Sequence, residues 1–421
     1  MRNLALLLLI TFNVFICNAH KKTSASLSTD ELLKRKSGIK TKQITSATFP
    51  IVAWVGLPEA FTNLAKYQGL KEAGFTHSYC PFSGLDAMEK GLNMAQKVGI
   101  KLFVACPELA SNPEATVKRF MNHPALAGYY LSDEPSTNAF PAIAILIKRI
   151  EALDKKHICY VNLLPNYAEA SSWGTKTYQD YLSAYLKQVP VKIISFDHYP
   201  VIGKTSQSIR PGFYLNLETI SNEAKRYEKS FWAFALSVAF GPYPLPTLAS
   251  LRLQVFTDLA YGAQGIQYFT YYTLTDPSNN FNNAPLDPKG KLTVSYGIVK
   301  QINKEIKSLS NIFMGARMVS VAHTGNNIPL GTTRLGTLPK PFKFLKINGL
   351  GAVVSVLKKA GKTYLVIVNR DIVSPINIEI ACKSGVRRML KNGTIALLNP
   401  RAVQKVGPGD ISIYRWADTL N

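Results

Sequence analysis

Carboxylates and aromatic residues recur in this chain where short apolar runs end. The fourth such run closes as Tyr129-Tyr130-Leu131-Ser132-Asp133-Glu134-Pro135, and the sixth as Ser195-Phe196-Asp197-His198-Tyr199-Pro200. Glu108 follows the third run, Asn162 lies in the fifth, and His77 sits inside the second. Trp54, Trp232, Tyr271 and Tyr272 belong to the first, seventh and eighth. Two carboxyl groups facing one another, framed by aromatic rings, suit cleavage of a glycosidic bond. One acid protonates the leaving oxygen, and a second carboxylate attacks the sugar or activates water. Rings stack on sugar faces and shield the site from water, which keeps an acid protonated near neutral pH.

Glu134 is the first candidate for the general acid, because it ends a strongly apolar run and Pro135 stops that run abruptly. Its plainer reading is the start of a helix. Successive strand residues point to opposite faces, so Asp133 and Glu134 are not expected to act as a pair. One faces the site, and the other bonds within the rim or caps the next helix. Asp197 is the candidate second carboxylate. Two strands from Glu134, it would stand at the roughly 6.5–9.5 Å of an inverting pair, unless it only braces a neighbouring strand. Glu108, Asp276 or Asp287 could reach in from loops instead. If none does, the scaffold binds glycans without cutting them. Trp54, Trp232, Tyr199, Tyr271 and Tyr272 are candidate sugar platforms, though aromatics in such runs also build cores. Asn162 is a candidate for a sugar hydroxyl. His77 and His198 read as hydrogen-bonding rim residues rather than metal ligands, since the six histidines form no ligand-spaced pattern.

These residues need a scaffold that brings strand ends together. The apolar runs are Pro50–Leu57, Phe75–Tyr79, Lys101–Cys106, Gly128–Ser132, His157–Leu163, Val191–His198, Phe231–Val238 and Gly265–Tyr272. Stretches with apolar residues at three- and four-residue spacing separate them, such as Asp86–Val98 and Phe140–Leu153. Eight strands alternating with helices predict an α/β fold, a (β/α)8 TIM barrel over residues 48–312, whose chemistry sits at the C-terminal strand ends. A doubly wound sheet would open on a glycine-rich turn, and the first turn here is Gly56-Leu57-Pro58-Glu59. After Asn311 the helical spacing stops. Ala352–Leu357, Thr363–Asn369, Ile376–Ile380 and the end after Gly407-Pro408-Gly409-Asp410 alternate as strands do. Residues 313–421 are therefore expected to form a small C-terminal antiparallel β-sandwich.

The ending Ser132-Asp133-Glu134-Pro135 resembles the Asn-Glu-Pro signature of the clan of (β/α)8 retaining glycoside hydrolases. Tyr261-Gly262-Ala263-Gln264-Gly265-Ile266-Gln267-Tyr268-Phe269 is similar to the passage into the eighth strand of their β-galactosidase-like members. The resemblance implies a secreted bacterial glycosidase with Glu134 as acid/base and a trailing β-sandwich. Two departures stand out. Asp133 replaces the Asn that contacts the sugar 2-hydroxyl in the clan. The seventh strand, Phe231–Val238, has no carboxylate where the clan places its nucleophile.

The 421 residues are 47% hydrophobic and 18% charged, which excludes a disordered or coiled-coil chain. Residues 1–19 read as a secretory signal peptide, from a basic start through an apolar stretch to Cys17-Asn18-Ala19. A second reading puts a lipid anchor on Cys17, although Val14-Phe15-Ile16 makes a poor lipobox. Both readings place the protein outside the cytoplasm: secreted, periplasmic or on the cell surface. Residues 20–47 form a basic, Lys- and Ser/Thr-rich tether. The net charge of +23 lies mostly in that tether and in residues 313–421, which hold 16 Lys/Arg and four acids. Without a nucleic-acid-binding module, this points to a solvated surface, or to affinity for an acidic glycan or an anionic membrane surface, rather than to nucleic acid. No transmembrane span is expected in the mature chain, and no cofactor or metal motif is present. The partner expected is a carbohydrate.

Overall fold

The computed structural model describes residues 48–399 and 402–420. The signal peptide and tether, at residues 1–19 and 20–47, lie outside them. The eight predicted runs are the eight strands of a closed barrel: β1 (Ile51–Trp54), β2 (His77–Ser78), β3 (Lys101–Val104), β4 (Leu126–Asp133), β5 (Ile158–Leu163), β6 (Ile193–Phe196), β7 (Ser230–Leu236) and β8 (Gly265–Phe269). Each pairs in parallel with its neighbours in sequence, and β8 closes on β1. The helices on the outside are α1 (Leu64–Glu72), α2 (Leu85–Val98), α3 (Pro113–Phe120), α4 (Phe140–Leu153), α5 (Tyr178–Gln188), α6 (Phe213–Arg226), α7 (Leu248–Ala260) and α8 (Val294–Phe313).

Local chemistry sets several of the boundaries. Asn63, Asn112 and Thr177 cap α1, α3 and α5 by accepting a backbone N–H with their side chains. At α7, Thr247 and Ser250 form a reciprocal capping box. Gly99 ends α2 at φ 70°, a left-handed conformation that glycine adopts without steric cost.

Two apolar layers hold the barrel. The outer one packs helix faces on outward strand residues such as Ile51, Val104, Tyr129 and Ile266. The lumen is packed with rings: Trp54, Tyr79, Phe103, Tyr160, Trp232 and Phe234. A glycine at 265 makes room for one of them, since a Cβ there would stand 2.7 Å from Trp232 ring atoms. Among the described residues no helix is long and apolar enough to cross a membrane.

The C-terminal strands are β9 (Arg317–His323), β10 (Phe342–Asn348), β11 (Ala352–Lys359), β12 (Lys362–Asn369), β13 (Ile376–Cys382), β14 (Arg387–Met389), β15 (Ile395–Leu397), β16 (Gln404–Val406) and β17 (Ile411–Ala417). They form two antiparallel sheets, ordered β9-β11-β12-β17-β14-β15 and β10-β13-β16, around a core that includes Val354, Ile367, Ile378 and Trp416. This is the predicted β-sandwich. Arg252 on α7 ties it to the barrel, reaching Glu305 of α8 at 2.5 Å and Asp410 of the sandwich at 3.4 Å.

Candidate active site

At the C-terminal mouth of the barrel three carboxylates converge, from β4 and β6. Strand β4 begins with regular alternation: Tyr129 faces out to bond Asp154 at 2.7 Å, while Tyr130 faces the lumen against Tyr79. The register with β5 then slips between Tyr130 and Ser132. Glu134 follows at φ 46°, with its N–H donating to the Asn162 carbonyl at 2.9 Å. For a residue with a Cβ that conformation costs on the order of 1–3 kcal/mol. The bulge and the left-handed residue break the alternation, so Asp133 and Glu134 both reach Asp197. The expectation that only one of them would face the site is therefore corrected.

The Glu134 and Asp197 carboxyls are neighbours, each acting on the protonation of the other. Burial raises the Glu134 carboxyl well above the usual range, and the charges of Asp197 and Asp133 raise it further. Asp197, 7% exposed, is also raised by burial. Its anion, however, is favoured by the neighbouring Glu134 carboxyl and by the Asn162 amide, which donates a hydrogen bond to it. The proton of the pair therefore rests on Glu134 and the charge on Asp197. Asp133 is raised by partial loss of water around it and by Asp197. Since its side chain stays exposed at the mouth, solvent limits that shift.

Asn162 of β5 organises the cluster from below. Its Nδ2 donates to Asp133 Oδ1 and to Asp197 Oδ1, both at 3.1 Å. Its Oδ1 accepts from Ser195 Oγ at 2.8 Å, Ser195 accepts from Gln267 Nε2 at 2.9 Å, and Tyr160 OH donates to Gln267 Oε1 at 2.5 Å. Asn162, Ser195, Gln267 and Tyr160 are all buried, so this chain across the lumen fixes which way the Asn162 amide points. Asn162 therefore serves the carboxylates, with its amide already committed, and is not turned toward a ligand hydroxyl.

Tyr199 lies beside the cluster, where burial together with the charges of Asp197 and its neighbours holds its phenol protonated. The other candidates lie elsewhere. Trp54 is at the top of the lumen but covered, 4.1 Å from the Tyr79 ring and 5.6 Å from that of Tyr130. His77 and Trp232 face inward at the opposite end. His77 aligns with Val52 early in β1, Trp232 with Gly265 at the start of β8, and their rings lie 6.2 Å apart. His198 points out of the barrel, bonding Asn216 of α6 at 3.0 Å, and burial keeps it neutral. Tyr271 also faces outward, against Phe75. Tyr272 reaches the rim but packs on Phe61 at 5.8 Å. Glu108 sits beside the Cys106 thiol, apart from the three carboxylates. Asp276 and Asp287 are engaged by backbone amides of their own loops.

Sequence reading missed Tyr160, Ser195 and Gln267, although a signal existed. Tyr160 and Asn162, like Ser195 and Asp197, are two residues apart and must share a strand face. Arg210, Tyr167 and Tyr243, which flank the mouth, come from loops that carry no periodic signal.

No protein-family model matches the chain, and no curated protein does. Several solved structures share its fold. A GH42 β-galactosidase from G. stearothermophilus superposes with a TM-score of 0.61 at 9% identity, over 89% of this chain and 99% of that one. A β-galactosidase from Bacillus circulans sp. alkalophilus gives 0.58 at 8%, over 89% and 100%. An α-amylase from Geobacillus thermoleovorans gives 0.53 at 11%, over 87% and 98%. At these identities the likeness is one of architecture: a TIM barrel followed by a β-sandwich, the fold of these glycoside hydrolases.

Proposed function

We propose that this chain is an exported glycoside hydrolase acting at the mouth of its barrel, with Glu134 as general acid. The observation that carries this reading is the convergence of Glu134, Asp197 and Asp133 at the mouth, with Asn162 Nδ2 donating to both aspartates, which sets a neutral acid beside an anion. Protonation of the glycosidic oxygen by Glu134 breaks the bond to the leaving sugar. The positive charge developing on the remaining ring is met by the Asp197 carboxylate. Water entering the mouth meets Asp133, which solvent reaches and which accepts the proton as the water adds to the anomeric carbon. That proton then returns to Glu134 through solvent. Tyr199 and Asn162 hold Asp197 ionised throughout. The rival reading, a glycan-binding protein without catalysis, gives no role to the second carboxyl group beside Glu134.

The test is release of reducing ends from a panel of neutral and acidic polysaccharides, with Glu134→Gln alongside. Release by the parent and not by the variant supports the proposal. Equal binding of one glycan by both proteins, with no release by either, refutes it in favour of the binding protein.

A further inference from the structure

Beside the carboxylates lies a cation that the proposed mechanism does not use. Arg210 follows a small hairpin formed by Val201–Ile202 and Ser208–Ile209, and its backbone N–H donates to the Pro200 carbonyl at 2.6 Å. Its guanidinium lies 4.3 Å from the Tyr167 ring centroid and 5.6 Å from that of Tyr243. Nε donates to the Tyr199 carbonyl at 3.4 Å, and Nη2 donates to Tyr243 OH at 3.0 Å. Both acceptors are neutral, and among the described residues no carboxylate forms an ion pair with Arg210. Guanidinium has five N–H donors in a rigid fork. The two on Nη1 and one on Nη2 are left without a protein acceptor. Tyr199, whose carbonyl Arg210 binds, comes two residues after Asp197 in the segment that follows β6, and the Asp197 charge acts on its phenol. The half-buried guanidinium, held by rings, thus lies beside the segment that carries Asp197, and the charges of Arg210 and Asp197 both act on the Tyr167 phenol.

An arginine held this way is prepared for an oxyanion in a two-pronged contact. We propose that Arg210 recognises a negatively charged substituent, a carboxylate or a sulfate, on a sugar bound beside Asp197, so that the glycan is acidic. This rests on the reading of the mouth as a carbohydrate site and deepens it. The Asp197 anion, with Asp133 beside it, would otherwise repel such a glycan. Arg210 supplies the local counter-charge, and the overall charge of +23 favours approach of a polyanion.

The test is equilibrium binding to the full chain carrying Glu134→Gln, so that cleavage does not interfere, in 0.15 M salt. Polygalacturonate is compared with its carboxyl-reduced form, and κ-carrageenan with its desulfated form, which separates the two anion sources. One anionic polymer should bind at least about tenfold tighter than its neutral counterpart, the range of a charge-assisted hydrogen-bonded pair. Adding Arg210→Gln should remove that preference, and Arg210→Lys should keep part of it. Attraction by net charge alone would barely change on losing one of 23 charges. The proposal is overturned if neutral and anionic forms bind alike, if Arg210→Gln binds like its parent, or if no anionic polymer binds. The first comparison needs no change at Arg210, so a misfolded variant would not mask it. Preferential binding without hydrolysis in the Glu134-containing chain would leave this inference standing and defeat the catalytic reading.

Discussion

Glu134 and Asp197 act on each other's protonation although a whole strand, β5, separates the strands that carry them. Two features close that distance. The register slip late in β4 and the left-handed backbone at Glu134 swing its carboxyl over β5. From β5 itself, Asn162 grips Asp197 and Asp133 together. The result is an acid kept protonated by its anionic neighbour, as in other pairs of carboxylates that cannot both ionise.

Replacing Glu134 with Gln should lower kcat by about 10²- to 10⁴-fold, the usual contribution of a positioned general acid. Asp197→Asn should also lower kcat strongly, since it removes the anion that faces the developing positive charge. Initial rates on whichever glycan the parent cleaves will check both. A variant retaining near-parental kcat would exclude that residue from the chemistry.

The same pair should make stability depend on pH. Both carboxyls are raised in the folded protein above ordinary values of 4.5 and 3.8. A carboxyl with a raised folded pKa binds more protons folded than unfolded, so stability falls as pH rises above its unfolded pKa. The melting temperature of the parent should therefore drop from about pH 5 to pH 8 relative to a Glu134→Gln, Asp197→Asn double variant. Parallel curves for the two proteins would mean that the pair carries no such strain.

Asn162→Ala removes both donors that hold Asp133 and Asp197 and leaves Ser195 facing a void. Loss of these buried hydrogen bonds should cost about 1–3 kcal/mol, read as a shift in the denaturant midpoint. Misplaced carboxylates should lower kcat by up to about a hundredfold, with KM changing much less. An unchanged kcat in the folded variant would show that the carboxylates hold their places without it.

Trp232 and Tyr199 should separate packing from chemistry. Trp232→Ala empties the end of the lumen opposite the carboxylates and should destabilise by about 3–5 kcal/mol, with KM unaltered in the folded fraction. Tyr199→Phe removes the hydroxyl that favours the Asp197 anion and should lower kcat while leaving the core intact. A raised KM in Trp232→Ala would argue against the position assigned to this ring.

The order of elements was legible because buried parallel strands read as short apolar runs and amphipathic helices as three- and four-residue spacing. Even β2, regular over only His77–Ser78, showed itself that way. Glu134 and Asp197 were legible for a related reason, since both stand where such runs end. The same continuity hides direction and depth. A strand buried on both faces looks alike from inside and outside the barrel, so His198 and Tyr271 read as site residues while packing outward. His77 and Trp232 do face inward, but at the wrong end, which an apolar run does not mark.

By itself, then, the sequence determined a (β/α)8 barrel, a trailing β-sandwich and the two carboxylates at strand ends, because these follow from local patterns of polarity. Only the tertiary structure decided that Asp133, Glu134 and Asp197 touch one cluster, and that Arg210 stands beside it. Closure of the sheet puts residues 133, 162 and 197 on adjacent strand ends. A one-residue slip in register reverses which way a side chain points, and that slip arises from pairing with β5 rather than from any local pattern in β4.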